Sequence, residues 1–341
     1  MLKCSLDRIQ DLFAEISKSA KLYLPVDGAD GSASFGEWSE GVAWSNATNT
    51  VKSPKDLFFP QTEDLMRFKT EGKSIEIIDT RSESEDFVVF GVRACDVKSL
   101  EVLDRVFLTE PMDSYYATKR AHGTLVSVAC TRPSETCFCT TFGIDAASPA
   151  GDVSAWKTET DLYLVANTEK GSALLASLGD LVTECDETAV DAQKKKIASV
   201  MNKLPLKDLT TDGFGGGKTE ELFGHPAWAS LSETCLGCGT CTFVCPTCQC
   251  YDIKDFNTGN GVIRYRCWDS CMYSEFTKMA HGNNRLTQKE RFRQRFMHKL
   301  VYFPENNDGM FSCVGCGRCL AKCPISMNIA KVMKKIGGEK K

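Results

Sequence analysis

Two segments of this chain repeat one cysteine pattern, and that pattern decides most of what the chain can become. TCLGCGTCTFVCP carries Cys235, Cys238, Cys241 and Cys245 at CxxCxxCxxxCP spacing, and SCVGCGRCLAKCP carries Cys313, Cys316, Cys319 and Cys323 at the same spacing. Three thiolates on one tight loop reach three corners of an iron–sulfur cube, while the fourth, placed before Pro, points to the other cube. The spacing predicts two 4Fe-4S clusters with crossed ligands: Cys235, Cys238, Cys241 and Cys323 hold one, and Cys313, Cys316, Cys319 and Cys245 hold the second. Structural zinc is the competing use of such thiols. It wants two separated CxxC pairs around one tetrahedral ion, and the triple spacing and the Cys-Pro serve no purpose there.

The chain has 18 cysteines in 341 residues, and twelve of them fall between Cys235 and Cys323. A disulfide scaffold would be small and stapled throughout. No run approaches the roughly 18 apolar residues of a membrane span, and the N-terminal MLKCSLDRIQDLFAEISK puts charges where a signal peptide is apolar. The expected location is the cytoplasm, where thiolates serve as metal ligands rather than as disulfides. With 41 Lys+Arg against 45 Asp+Glu and a pI near 5.7, there is no broad basic field, so nucleic acid is excluded as the first choice of partner.

Residues 5 to 18 read as an amphipathic helix capped by Ser5, with Leu6, Ile9, Leu12, Phe13 and Ile16 on one face. From about residue 75, short apolar runs (SIEIID, DFVVFGV, GTLVSVA, DLYLVA) alternate with helical stretches such as VKSLEVLDRVF and SALLASLGDLV. That alternation predicts an α/β layer with a largely buried sheet. DGFGGGKTEE contains Gly217-Lys218-Thr219, but Gly213 stands one position too close for a phosphate loop, so the run reads as a linker. The expected fold is an α+β or α/β domain over 1–220, followed by a mainly helical ferredoxin-type dicluster domain over 221–341. About 67 residues separate the two cysteine motifs, and LTQKERFRQRFMHKLVYF within them has Phe292, Phe296 and Leu300 at helical spacing. The surrounding Lys289, Arg291, Arg293, Arg295 and Lys299 read as a solvated face ahead of a docking patch for an acidic partner.

Among the other cysteines, Cys95 and Cys130 end two predicted strands, and Cys137 and Cys139 follow in TCFC. Strand ends are where α/β folds place sites, so these four thiolates form a candidate third 4Fe-4S set. About twelve irons per chain would support it and about eight would exclude it. Cys4 and Cys185 read as buried small hydrophobes or idle thiols. Cys248, Cys250, Cys267 and Cys271, in PTCQCYD and YRCWDSCMY, either ligate a further cluster, supply an alternative set for the third, or pack beside the first and tune it; packing is the preferred reading. The four histidines (His122, His225, His281, His298) have no metal or triad spacing, and no GxGxxG, GxSxG or HExxH occurs. No catalytic residue is assigned.

Taken together, FGVRACDVKSLEVLDRVF, ACTRPSETCFCTTFG, CLGCGTCTFVCPTCQCYDI, RCWDSCMYSEFTKMAHG, ERFRQRFMHKLVYFPE and CVGCGRCLAKCPI resemble segments of a family of iron–sulfur subunits, that of the sulfhydrogenase beta subunit and of the iron–sulfur electron-transfer subunit of anaerobic sulfite reductase. The resemblance runs in order over roughly residues 86 to 330. It implies a cytoplasmic electron-transfer subunit in a hetero-oligomer, without a substrate site of its own. Such a subunit links a flavin subunit that oxidises NAD(P)H to a metalloenzyme partner: a hydrogenase, a sulfite reductase or a heterodisulfide-reductase-like module. Ferredoxin is a further candidate partner. By the same resemblance Cys95, Cys130, Cys137 and Cys139 match family cysteines, as do Cys248, Cys250 and Cys271, while Cys267 departs from the pattern. The first domain is also distantly similar to deazaflavin-reducing hydrogenase beta subunits. That likeness keeps a flavin-containing oxidoreductase that reduces a soluble cofactor as the alternative, although no motif points to bound flavin and FAD is not expected in this chain.

Overall fold

The computed structural model describes residues 1–47 and 49–337. Strand β1 (Leu2–Ser5) leads into helix α1 (Ile9–Ser17); Ser5 caps the entry by accepting from the Asp7 N–H, and Leu12, Phe13 and Ile16 are buried. There follow β2 (Lys21–Asp27), β3 (Ala33–Glu37), the short α2 (Lys55–Phe58), and the hairpin of β4 (Thr62–Glu71) and β5 (Ser74–Asp79). Next come β6 (Phe87–Val92), α3 (Ala94–Phe107), α4 (Ser114–His122) and β7 (Gly123–Val128). The hairpin β8 (Val153–Lys157) and β9 (Asp161–Ala166), α5 (Glu169–Ser177), β10 (Thr183–Glu184) and α6 (Thr188–Met201) complete this part.

Eight of these strands form one mixed sheet in the order β10-β1-β9-β8-β7-β6-β2-β3. Its centre, β2-β6-β7-β8, is parallel, and antiparallel strands extend it on both sides. Strand β6 is buried throughout, as a central parallel strand must be, and its side chains divide by the two-residue period. Val88 and Phe90 pack toward α1 and α5, with Phe13 and Leu174; Phe87 and Val89 pack toward α3 and α4, with Leu103 and Tyr116. Helices thus cover both faces. Because β6 and β7 are parallel neighbours, the segments that leave their carboxyl ends emerge side by side.

A second sheet of four antiparallel strands has the order β11-β12-β4-β5, where β11 (Tyr251–Asn257) and β12 (Gly261–Trp268) form a hairpin between the two cysteine motifs. This hairpin is the main departure from the expected mainly helical region. Its sequence alternates around a TGN turn, and β12 pairs with β4, so strands from before and after residue 220 share one sheet. Arg266 anchors the join, buried against Glu63 (2.5 Å) and Asp113. The SIEIID run also differs from expectation: as β5 it lies at the edge of this small sheet, with Ile75 and Ile77 exposed.

The predicted helix between the motifs forms as Gln288–Met297, entered through a Thr287/Glu290 capping box, and continues through a π-helical turn at His298–Tyr302. Phe292, Phe296 and Leu300 are buried with Trp228, Ile329 and Met333. Arg295 and Lys299 were expected on a solvated face, yet both are only 3% exposed. Among the described residues no helix is long and apolar enough to cross a membrane.

Candidate iron–sulfur centres

Cys95 sits in the first turn of α3 directly after β6, and Cys130 directly after β7, where its N–H donates to the Ala146 carbonyl at 2.9 Å. The loop that returns to β8 brings Cys137 and Cys139 to the same place, and all four line one small cavity together with Cys316 of the second motif. Asn49, 88 residues earlier in the chain than Cys137, reaches in to donate to Cys137 Sγ at 3.4 Å and to the Cys316 carbonyl at 3.0 Å. The 313–319 loop lies backbone to backbone on this group, with the Phe138 N–H bonded to the Gly315 carbonyl at 2.8 Å.

That close approach requires glycine. A Cβ on Gly315 would lie 2.4 Å from the Phe138 carbonyl oxygen, and φ there is +59°. Gly315→Ala is therefore expected to lower stability by about 2 kcal/mol or more, from left-handed strain plus the backbone clash. Gly309→Ala, at φ +80° in open space, carries only the strain and should cost less; thermal unfolding of the two variants is the check.

The first motif places Cys235, Cys238 and Cys241 around a mostly apolar cavity, and Cys323 of the second motif reaches into the same cavity, beside Met272, Phe292 and Phe296. Gln288 Nε2 donates to Cys235 Sγ at 3.4 Å, and Cys323 Sγ lies 3.2 Å from the Met327 carbonyl. Cys313, Cys316 and Cys319 each feel the charge of Cys245, which has crossed over from the first motif. The groups adjoin: Cys241 interacts with Cys319, and Cys316 with Cys95.

Burial pushes the Cys130 and Cys241 thiols up to about 11, and those of Cys139 and Cys316 to about 12. At neutral pH such sulfurs stay protonated unless a metal replaces the proton. The charges around them fit an anionic occupant. Lys55, Arg295 and Lys299 are each 3% exposed, and none has a carboxylate within 4 Å among the described residues. Unpaired buried cations cost several kcal/mol each. Here they face sulfur: Lys299 Nζ donates to Thr247 Oγ1 (2.8 Å) and the Ser312 carbonyl (3.1 Å) beside Cys245 and Cys313, and Arg295 lines the first cavity with its buried Nε lacking a partner. Lys55 Nζ holds the carbonyls of Cys245 (3.2 Å) and Cys248 (2.9 Å) against the Trp268 ring. Four thiolates around a 4Fe-4S core carry net negative charge, which these cations offset. The residues therefore fit the group.

Beside the Cys95 group, Arg318 is neutralised within the fold by Asp96, at 2.6 Å. Cys271 lies near the Cys241 thiol and Cys248 beside that of Cys245, while Cys250 neighbours Cys271 and Cys248. Cys267 does not: it is on β12 next to Trp268, and successive strand residues face opposite ways. Cys4 is buried in the core under α1, and Cys185 packs at the rim of the core that holds Cys95. Sequence reasoning passed over Asn49, Lys55, Asp96 and Gln288, because nothing local marks a residue that a distant loop delivers to a thiol.

A family profile for the 4Fe-4S dicluster domain matches residues 234–327, so the chain carries an iron–sulfur domain of that kind in its C-terminal part. Over 294 residues it is 33% identical to Sulfhydrogenase 2 subunit beta of Pyrococcus furiosus, a match that covers 85% of this chain and 84% of that one. The chain therefore belongs to the sulfhydrogenase beta subunit family of iron–sulfur electron-transfer proteins. No solved structure matches it.

Proposed function

We propose that this chain is the cytoplasmic iron–sulfur subunit of a hetero-oligomer and relays single electrons between an NAD(P)H-oxidising flavin subunit and a metalloenzyme partner of the hydrogenase, sulfite reductase or heterodisulfide-reductase-like kind. One observation carries this reading: Cys95, Cys130, Cys137 and Cys139 line one cavity together with Cys316; Cys235, Cys238, Cys241 and Cys323 line another; and Cys319 lies near Cys241. Cys235, Cys238, Cys241 and Cys323 would hold one cluster, Cys245, Cys313, Cys316 and Cys319 a second, and Cys95, Cys130, Cys137 and Cys139 a third. When bound, a 4Fe-4S cluster supplies a reversible one-electron couple. The chain's own residues exclude water, fix the thiols and place Lys55, Arg295 and Lys299 where negative charge must reside. In this reading residues 1–220 are the platform for the third cluster and 221–341 the dicluster part. The relative is named as one subunit of a sulfhydrogenase, which supports the hetero-oligomer.

Two measurements test it. Iron and acid-labile sulfide in the anaerobically purified protein are expected near twelve per chain, falling to about eight in Cys137→Ala; eight in the unaltered protein would remove the third cluster. Anaerobic affinity purification at low salt, with mass spectrometry, should bring down a flavin subunit and a metalloenzyme subunit. Elution of the chain alone with stoichiometric flavin would replace the relay with a flavoenzyme.

A further inference from the structure

We propose that the face around Cys238, formed by the loop 236–239, Tyr273 and the start of the helix Gln288–Met297, is a port where an acidic electron-carrier protein docks and exchanges single electrons with the first cysteine group. The inference rests on the relay reading and names the partner at one end of it. Cys238 is exposed, and every other one of the eighteen cysteines is buried or half-buried. A centre held by Cys235, Cys238, Cys241 and Cys323 would therefore meet the surface at this loop.

Two side chains from outside the motif fasten the loop. Tyr273 Oη donates to the Cys238 carbonyl at 3.3 Å. Gln288, which donates to Cys235 Sγ, packs so closely on Gly237 that a Cβ there would lie 2.9 Å from its Oε1. Leu236, at the tip between them, is 66% exposed, and Leu286, just ahead of Gln288, is 75% exposed. Large apolar side chains this open, grouped about one exposed candidate ligand, contribute to docking rather than to packing.

Charge selects the occupant. Arg291 Nη2 donates to Gln288 Oε1 at 3.3 Å, so its guanidinium is one hydrogen-bonded step from Cys235. Its Nη1 holds the Arg285 and Leu286 carbonyls at 3.0 and 3.3 Å, which brings Arg285 and Leu286 to the same edge. Among the described residues Arg285, Lys289 and Arg291 have no carboxylate within 4 Å, whereas Lys278 is paired with Glu275 at 3.0 Å and Glu290 serves the capping box. The segments 233–241, 273–291 and 322–327 around the cavity carry five Lys or Arg against three Glu, in a chain whose overall balance is −4. A basic carrier would be drawn to this protein from any side. An acidic one is repelled by the whole and attracted by this face, which gives the encounter its address. In each encounter one electron leaves the carrier and enters the first centre, or the reverse; no covalent bond breaks and no proton moves.

The test uses the full-length protein with its iron and, as probe, an acidic plant-type ferredoxin, with affinity read by biolayer interferometry at low and at high salt. Salt is expected to weaken binding, whereas two net-acidic proteins in plain repulsion would bind better as salt rises. Lys289→Glu places an acidic residue in the first turn of a helix, which the fold favours, and should weaken low-salt binding about tenfold and flatten its salt dependence. Leu286→Ser, on a side chain that packs on little, should weaken binding about fivefold at both salt levels. Lys195→Glu, on the exposed side of α6, is the control and should leave affinity unchanged. Stopped-flow bleaching of the visible absorbance by reduced ferredoxin should follow the same order. The proposal is overturned if the ferredoxin does not bind, if salt strengthens binding, or if Lys195→Glu weakens it as much as Lys289→Glu. It is also overturned if the isolated protein forms a dimer that Leu286→Ser abolishes, since a second copy would then own the face. Protein without iron or visible absorbance would sink the relay reading itself, a separate result.

Discussion

Replacing Cys316 with alanine is expected to stop electron passage between the flavin partner and the metalloenzyme partner in the assembled complex, while each partner's turnover with an artificial dye stays near its normal rate. Cys316 is singled out by position. It interacts with Cys245 and Cys319 in the middle group, and it also lines the cavity of Cys95, Cys130, Cys137 and Cys139. In the proposed arrangement its loss would remove a ligand from the middle cluster, which adjoins both others, so no bypass would remain within the chain. Cys238→Ala, in the terminal group, should also block passage, with the Cys95 and Cys316 groups still reducible from their side. Cys267→Ala is the control: it points away from the sulfur groups and should keep full iron and full transfer. If dye turnover of both partners collapsed along with passage in Cys316→Ala, the residue would hold the complex together rather than conduct.

The two halves of the candidate site were legible in the sequence to different degrees, for a physical reason. A cubane needs three thiolates on one tight loop, so its signature is local, and both CxxCxxCxxxCP segments read directly. The strands that end at Cys95 and Cys130 were legible because a strand buried on both faces is an unbroken apolar run. What escaped depends on contacts between distant segments. Lys299 and Arg295 carry the charge pattern of a wet helix face, and only the sulfur groups opposite them make burial tolerable. The β11–β12 hairpin had its own alternation, yet its role as partner of β4, nearly 200 residues away, has no local mark. Asn49 sits in a stretch without periodicity and is informative only once it is seen bonded to Cys137.

Lys299→Met is expected to shift the potential of the Cys245, Cys313, Cys316 and Cys319 centre negative, by on the order of 100 mV. Burial works against the Lys299 charge, but the thiolates of Cys245 and Cys248 outweigh it and hold its pKa above the usual value. The ammonium therefore remains charged beside the sulfurs. A unit positive charge about 6 Å from a redox centre, at an effective dielectric of about 20, favours the more negative, reduced form by about 3 kcal/mol. For a one-electron couple, where 59 mV corresponds to a tenfold change, that is roughly 100 mV. Methionine keeps the apolar stem and removes the charge, while Lys299→Arg keeps the charge and should hold the potential near its normal value. An anaerobic redox titration followed by electron paramagnetic resonance separates the centres. The Cys245-containing signal should move, and the signal of the cavity lined by Arg295 should move much less, because Arg295 keeps its own charge there. Lys299→Met also removes the ammonium's two hydrogen bonds, leaving the Ser312 carbonyl held by the Thr247 hydroxyl alone (2.6 Å), so at about 1 kcal/mol per lost bond faster cluster loss should accompany the shift. An unchanged or more positive potential in Lys299→Met would mean that the buried cations hold the loops in place without setting the electrostatics of the sulfur groups.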